Sequence, residues 1–423
     1  MSQRERVVIV GAGLAGLRAA ERLRELDFGG EIVIVGSENS RPYHRPALSK
    51  QFLQGSLGVR DLTISTYDDV GATWRLGVTA SQLDPRERVV YLADGEPLSY
   101  DGLVISTGVE PRRLNPGQGA NRRVIGVRRV ADTINLQDSI ATNRGPVIVL
   151  GTGFTGCEVA STLRTMNRDV IILGRGRGLM SKALGPELGD RLARVHREHG
   201  VRLALGVEID NWQPAGEHVR VELSTGRVVR AAAIVVAIGS VPSTKWLSGS
   251  GLPIDEGVVC GPTCHVEGFE DIVAAGDVAQ WQNLRFDEVP RRIEHWINAT
   301  EMGRAAADGL MFGRHAAPPF MPLPRFWSEQ HGLRIQGAGI PSLGTDRLVL
   351  WRSRTGDQSV TGYLRDGQLV GVVGLNCPTS FLRIAEEELV HPDYAPMDAG
   401  SALPRLTTGS GVRNEQDLRR VTG

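Results

Sequence analysis

The residues best placed to do chemistry in this chain are glycines. Gly11, Gly13 and Gly16 lie in the run Gly11-Ala12-Gly13-Leu14-Ala15-Gly16, directly after the apolar stretch Val7-Val8-Ile9-Val10. A helical pattern from Leu17 to Leu26 follows, then a second apolar run, Ile32-Val33-Ile34-Val35. Glu38 stands 22 positions past the third glycine (38 − 16). A turn bare of side chains at those points can hold a dinucleotide. Gly11 permits the tight turn, Gly13 leaves room for a pyrophosphate against the backbone, and Gly16 lets the helix close on the strand. The phosphates meet the helix N-terminus, where free N–H groups and the helix dipole favour negative charge. Glu38 is placed to accept hydrogen bonds from ribose hydroxyls.

The same pattern returns 140 residues later (151 − 11): Val147-Ile148-Val149-Leu150 runs into Gly151-Thr152-Gly153-Phe154-Thr155-Gly156-Cys157-Glu158. A helix over Val159 to Met166 and a strand over Val170 to Leu173 are expected next. Two such turns imply two dinucleotide sites.

The elements that must position these turns are legible in outline. At 423 residues the chain exceeds one ordinary core, so two or three domains are expected. Lys+Arg and Asp+Glu balance at 48 each, which argues against a nucleic-acid or membrane-surface binder. The 52 glycines fit nucleotide-binding turns. Four scattered cysteines, Cys157, Cys260, Cys264 and Cys377, are too few for a disulfide framework and lack a metal-ligand spacing, so packing roles are expected. The helix N-terminus should lower the Cys157 thiol pKa somewhat. The N-terminus shows no signal peptide and no spanning helix is visible, which makes the cytoplasm the default expectation.

After Glu38 comes a basic, proline-stiffened loop, Arg41-Pro42-Tyr43-His44-Arg45-Pro46-Ala47-Leu48-Ser49-Lys50, with Arg45 and Lys50 able to line a cleft. Residues 74–104 read as a β-meander: Trp74 to Leu76, Val89 to Leu92, a turn at Asp94-Gly95, and Leu103 to Ile105. It closes on Ser106-Thr107-Gly108, where the chain could turn beside a cofactor. A second meander, Val201 to Val229, ends in the strand Ile234 to Gly239. The strand Ile272-Val273-Ala274-Ala275 runs into Gly276-Asp277, and a helix is expected from about Ile293 to Phe312. Pro318, Pro319, Pro322 and Pro324 mark a linker. Beyond it, 348–351, 359–364 and 369–375 read as antiparallel strands, with a helix near 381–389.

With both glycine turns, the Arg-Pro-x-x-Arg-Pro-x-Leu-Ser-Lys loop, the Ala-Ala-Gly-Asp strand, Arg292-Ile293-Glu294-His295-Trp296 and Phe326-Trp327-Ser328-Glu329-Gln330 in view, residues 5 to 400 resemble the flavin-dependent ferredoxin reductases that serve bacterial cytochrome P450 and oxygenase systems. The resemblance implies an α/β fold with two Rossmann-like domains, for FAD and NAD(P), and a C-terminal α/β domain covering the flavin. The corresponding boundaries are 1–113 and 245–322 for the FAD domain, 114–244 for the NAD(P) domain, 323–405 for the C-terminal domain and 406–423 for a flexible tail. It further implies that Asp277 binds the ribityl–phosphate region and that Ala15, Val78, Arg128 and Trp296 contact FAD. Lys50 and Glu158 become the reaction centre, and Phe154 covers the nicotinamide pocket. The disulfide reductases of the wider superfamily keep a Cys-x4-Cys pair after the first unit, and residues 39–60 hold no cysteine.

The reading is therefore an NAD(P)H:ferredoxin reductase that needs no metal of its own. Alternatives are a flavin enzyme donating to oxygen, rubredoxin or a quinone, or an NAD(P)H-sensing flavoprotein. The ferredoxin, expected to be acidic, is expected to meet Arg291 and Arg292. One departure from the family is visible. Most relatives prefer NADH and end the second unit's second strand in glutamate, whereas here it ends Leu173-Gly174-Arg175-Gly176-Arg177, with Gly174 in the acid position 18 residues past Gly156 (174 − 156). Arg175 and Arg177 could grip a 2′-phosphate, which leans the expectation towards NADPH.

Overall fold

The computed structural model describes residues 5–64, 70–114 and 121–390, so the tail expected at 406–423 lies outside them. The chain divides into two compact units, one of Met1–Ser181 with Gly185–Pro324 and one of Lys182–Leu184 with Arg325–Gly423.

In the first unit, Val7 to Val10 form the heart of β1 (Arg6–Val10) and are almost fully buried. A strand apolar on both faces belongs at the centre of a covered parallel sheet. It is followed by α1 (Leu14–Glu25), β2 (Glu31–Gly36) and the one-turn α2 (Gln51–Gln54). Next come β3 (Thr73–Leu76), a hairpin group β4 (Ala80–Asp84), β5 (Val89–Leu92) and β6 (Pro97–Ser99), then β7 (Gly102–Ile105) and β8 (Val109–Pro111). The second half repeats the scheme with β9 (Val124–Gly126), α3 (Val130–Ala141), β10 (Val147–Leu150), α4 (Phe154–Thr165), β11 (Val170–Gly174) and β12 (Arg202–Leu205). The meander β13 (Ile209–Ala215), β14 (His218–Leu223) and β15 (Val228–Ala231) then leads to β16 (Ala233–Val236) and β17 (Ser240–Pro242). Strands β18 (Val258–Cys260) and β19 (Ile272–Ala274) precede the long helix Trp296–Phe312.

Two parallel sheets result, ordered β19-β7-β1-β2-β3 and β12-β11-β10-β16-β9. The first is assembled from two separated stretches of chain, because β19 pairs with β7 after the whole second sheet has been made. The meanders are narrower than the sequence suggests. Trp74 to Leu76 and Leu103 to Ile105 belong to the parallel sheet, so the first antiparallel sheet holds β4, β5 and β6 alone. The second likewise holds β13, β14 and β15, while Arg202 to Leu205 pair with β11. A short strand shows its period in sequence but not its partner, which tertiary packing chooses.

The second unit is a five-stranded antiparallel sheet, Arg325–Gln330, Leu333–Gly339, Gln368–Leu375, Ser359–Arg365 and Asp346–Arg352 in spatial order, with the helix Thr379–Val390. Its first two strands are absent from the sequence reading. The first alternates buried and exposed residues cleanly, a period-2 signal that was present in Phe326 to Gln330.

Candidate functional site

The three glycines of each turn separate by what a side chain there would meet. At Gly11, whose φ is +124°, an added Cβ would fall 2.1 Å from the Ser106 carbonyl oxygen, and at Gly16 it would fall 2.1 Å from the Gly11 carbonyl oxygen. At Gly13 it would meet nothing within 4 Å. The second turn behaves alike: Gly151 is closed off by the Ala237 carbonyl at 2.1 Å and Gly156 by the Gly151 carbonyl at 2.4 Å, whereas Gly153 faces open space. The outer glycines serve backbone packing. The middle glycine opens a bare cradle at the N-cap of α1 or α4, with no acidic residue in the helix's first turn. A cradle that a Cβ would fill, at an uncapped helix N-terminus, fits a pyrophosphate. The residues present therefore fit FAD and NAD(P) on geometry as well as on pattern.

Around the first cradle, Glu38 accepts from Arg45 Nη2 at 2.6 Å and from the Tyr43 hydroxyl at 2.7 Å. Burial alone would raise the Glu38 pKa, but the Arg45 guanidinium and the Tyr43 hydroxyl outweigh it and hold the carboxyl below its ordinary value. Val78 is clipped to the end of β2 through its N–H to the Gly36 carbonyl. Ala15 is buried and lies against Gly276, where an added Cβ would sit 3.0 Å from its methyl. Gly108 has a φ of +65°, and Thr107 Oγ1 donates to the Ser243 carbonyl at 2.9 Å. Arg128 and Asp277, 149 positions apart, form an ion pair at 2.9 Å. Trp296 opens the long helix and meets the His44 ring edge-on at 4.9 Å. Burial pushes the neighbouring His295 imidazole down to about 4, against the opposing pull of Asp277.

Lys50 comes from the loop of the first half and Glu158 from α4 of the second, and they meet at 2.6 Å with side chains only 15% and 10% exposed. This is a buried pair, unlike the surface ion pair that two long charged side chains usually make. Ser49 Oγ donates to the same carboxylate oxygen, Glu158 Oε2, at 2.7 Å. Thr162 Oγ1 donates to the Ser49 carbonyl at 2.8 Å. Sequence reasoning passed over Ser49, Tyr43 and Thr162. The first two lay inside the quoted loop, but nothing in a sequence says which loop hydroxyls face inwards.

At the far end of the second sheet, the pairing register makes Gly174 the counterpart of Gly36 and Gly176 the counterpart of Glu38, since Leu150 pairs with Leu173 as Val10 pairs with Val35. Neither position carries an acid. A Cβ at Gly174 would also sit 2.7 Å from Thr152 Cγ2. Arg175 and Arg177 are exposed just beyond β11, and among the described residues neither joins an ion pair. Gly239 turns with a φ of +99° beside Arg112. Phe154 and Thr155 occupy the first turn of α4, half-buried and exposed respectively.

One expectation needs correction. Cys157 is completely buried, and burial, then the neighbouring Glu158, raises its thiol pKa, so the helix N-terminus does not win. Arg291 pairs with Asp287 through two contacts, and Arg292 pairs with Glu294 at 2.8 Å. All four cysteines are buried thiols. Among the described residues, no helix is long and apolar enough to cross a membrane.

Comparison with known proteins agrees with this geometry. The profile of the pyridine nucleotide-disulphide oxidoreductases matches residues 5–303, and that of the reductase C-terminal domain matches residues 325–391. The chain is 32% identical to the "Probable ferredoxin reductase CtmF" of Castellaniella defragrans, over 93% of this chain and 98% of that one. It is 31% identical to putidaredoxin reductase of Pseudomonas putida, over 90% and 91%. Its backbone matches the reductase in the crystal structure of the covalent putidaredoxin reductase–putidaredoxin complex with a TM-score of 0.84 and 27% identity, covering 91% of this chain and 93% of that one. The duplicated glycine cradles, the interrupted first sheet and these matches together place the chain in the pyridine nucleotide-disulphide oxidoreductase family.

Proposed function

We propose that this protein carries electrons from NAD(P)H through FAD to a small iron–sulfur ferredoxin that serves a cytochrome P450 or an oxygenase. The observation that carries the reading is the buried Lys50–Glu158 pair. It joins the loop after the first cradle to the helix of the second, so both cofactors would converge on it. The relatives support the choice of acceptor, since one is named as the ferredoxin–NAD(+) reductase subunit of a benzene dioxygenase system. Bound flavin would supply the conversion of a two-electron hydride into single electrons.

The chain's own residues have distinct tasks in this scheme. The Gly13 cradle, Ala15, Glu38, Arg45, Val78, Thr107, Gly108, Arg128, Asp277 and Trp296 hold FAD, and the Gly153 cradle, Phe154, Thr155 and Gly239 hold the nicotinamide nucleotide. Lys50 places a fixed positive charge in a site shielded from water, where it stabilises negative charge gained on reduction. Glu158 keeps that ammonium oriented. FAD belongs to the first cradle because Glu38 and Asp277 complete it. NADPH is the preferred nucleotide, because glycine occupies both acid positions, 174 and 176, and Arg175 and Arg177, neither in an ion pair among the described residues, stand beside them.

The test is anaerobic bleaching of the purified yellow protein by NAD(P)H, followed by cytochrome c reduction that depends on added ferredoxin. Lys50→Met should keep its FAD and bleach about tenfold more slowly or worse. Lost flavin with normal bleaching would make the pair structural.

A further inference from the structure

Ser49 carries no assigned task, yet it touches α4 twice. Its hydroxyl donates to Glu158 Oε2 at 2.7 Å, and its carbonyl accepts from Thr162 Oγ1 at 2.8 Å. Glu158 and Thr162 are four residues apart and so share one helix face. The serine is itself only 5% exposed. Its oxygen also lies 3.5 Å from Lys50 Nζ, which reaches the same Glu158 oxygen and the Pro46 carbonyl, the latter at 3.3 Å. The loop around it is held from the second half as well. Thr133 Oγ1 donates to the Leu48 carbonyl at 3.3 Å, and Gln137 Nε2 to the Phe52 and Leu53 carbonyls at 2.8 and 3.2 Å.

A lysine ammonium is a compact charge on a flexible four-carbon stem, and by itself it fixes a carboxylate poorly. The serine supplies a second, short donor whose own backbone is pinned one helical turn further along. We infer that Ser49 is a positioning residue for the reaction: it sets the orientation of the Glu158 carboxylate and thereby the place of the Lys50 ammonium. This rests on the reading of Lys50 and Glu158 as the pair between flavin and nicotinamide. It goes further in giving the orientation to a neutral hydroxyl.

The experiment uses the FAD-loaded full chain with Ser49→Ala, Ser49→Thr, Glu158→Gln and the double variant Ser49→Ala/Glu158→Gln. A first readout is independent of turnover. The carboxylate infrared band that disappears in Glu158→Gln should shift in Ser49→Ala and return towards its original position in Ser49→Thr. The second readout is the limiting rate of flavin bleaching by NAD(P)H. Ser49→Ala should lower it about tenfold, the scale of one charge-assisted hydrogen bond, and should lower it no further when Glu158 is already glutamine. An unmoved infrared band, or equal slowing by Ser49→Ala in both backgrounds, overturns the role of Ser49 and leaves the pair intact. Unaltered bleaching in Glu158→Gln overturns the reading of the pair, and the inference with it.

Discussion

Gly13 and Gly11 stand two residues apart and do opposite things. A side chain at Gly13 enters open space, while one at Gly11 meets a backbone carbonyl in a left-handed region of φ. Gly13→Leu should therefore fold with a Tm near that of the wild-type protein freed of FAD, and be colourless. Gly11→Ala should fail earlier, as low soluble yield or a Tm reduced in both forms. A yellow, fully loaded Gly13→Leu protein would move FAD out of the first cradle. His295 offers a pH test at the same scale. Its ordinary pKa of 6.5 falls to about 4 in the folded protein. Between those values the unfolded chain binds more protons than the folded one, so stability is complete above pH 6.5 and falls as the pH drops towards 4. The loss amounts to about 3 kcal/mol by pH 4. Unfolding in urea across that range should show a shallower pH dependence in His295→Asn than in wild type. Parallel slopes would mean that the acid sensitivity arises elsewhere.

Among the elements, α3 links the halves without carrying a cofactor residue of its own. Asp132 caps it by accepting from the Arg128 and Arg129 N–H groups at 3.0 and 2.7 Å, and its side chains Thr133 and Gln137 hold the Lys50 loop. Asp132→Ala should cost about 1 kcal/mol and lower Tm by about 2 °C. Unchanged Tm would show that the cap is redundant. The sequence reading lacked α3 altogether: Thr133 and Ser139 share its buried face with Leu136 and Ile140, and its N-cap residue is Arg129 rather than a Ser or Thr. By contrast, β1, β10, α1 and α4 were visible, because buried parallel strands and glycine turns leave local signatures. The helices begin earlier than expected, at Leu14 and Phe154, since the last glycines of each turn already lie within the helix. The copies also share a device that spacing does not announce. Arg24 and Arg164 occupy the same place near the ends of α1 and α4, and each donates to the carbonyl four residues on, Phe28 and Arg168. Pairings such as Lys50 with Glu158 or Arg128 with Asp277 join residues more than a hundred positions apart. The family resemblance brought Lys50 and Glu158 together before the fold was in hand, whereas the Arg128–Asp277 pair is visible only in the fold.

Across the whole molecule, positive and negative side chains balance, and Arg291 and Arg292 each pair with a nearby carboxylate. In the proposed scheme, nucleotide choice falls to a small exposed segment, Arg175 to Arg177. Arg175→Ala or Arg177→Ala should reduce kcat/KM for NADPH about 10- to 100-fold if that arginine grips the 2′-phosphate, with NADH little changed. An NADH preference that survives both substitutions would remove the arginines from that role. The segment is also built to tolerate change. The Gly174 and Gly176 carbonyls both accept from the Gly206 N–H, at 2.8 and 3.2 Å, so its backbone is held by backbone alone while side chains 175 and 177 point outwards. Substitution at 175 or 177 changes an exposed side chain, whereas at Gly174 it meets Thr152. If these arginines set coenzyme preference, selection could act on it quickly and reversibly, and lineages sharing one electron path would be free to diverge in the metabolic pool from which they draw.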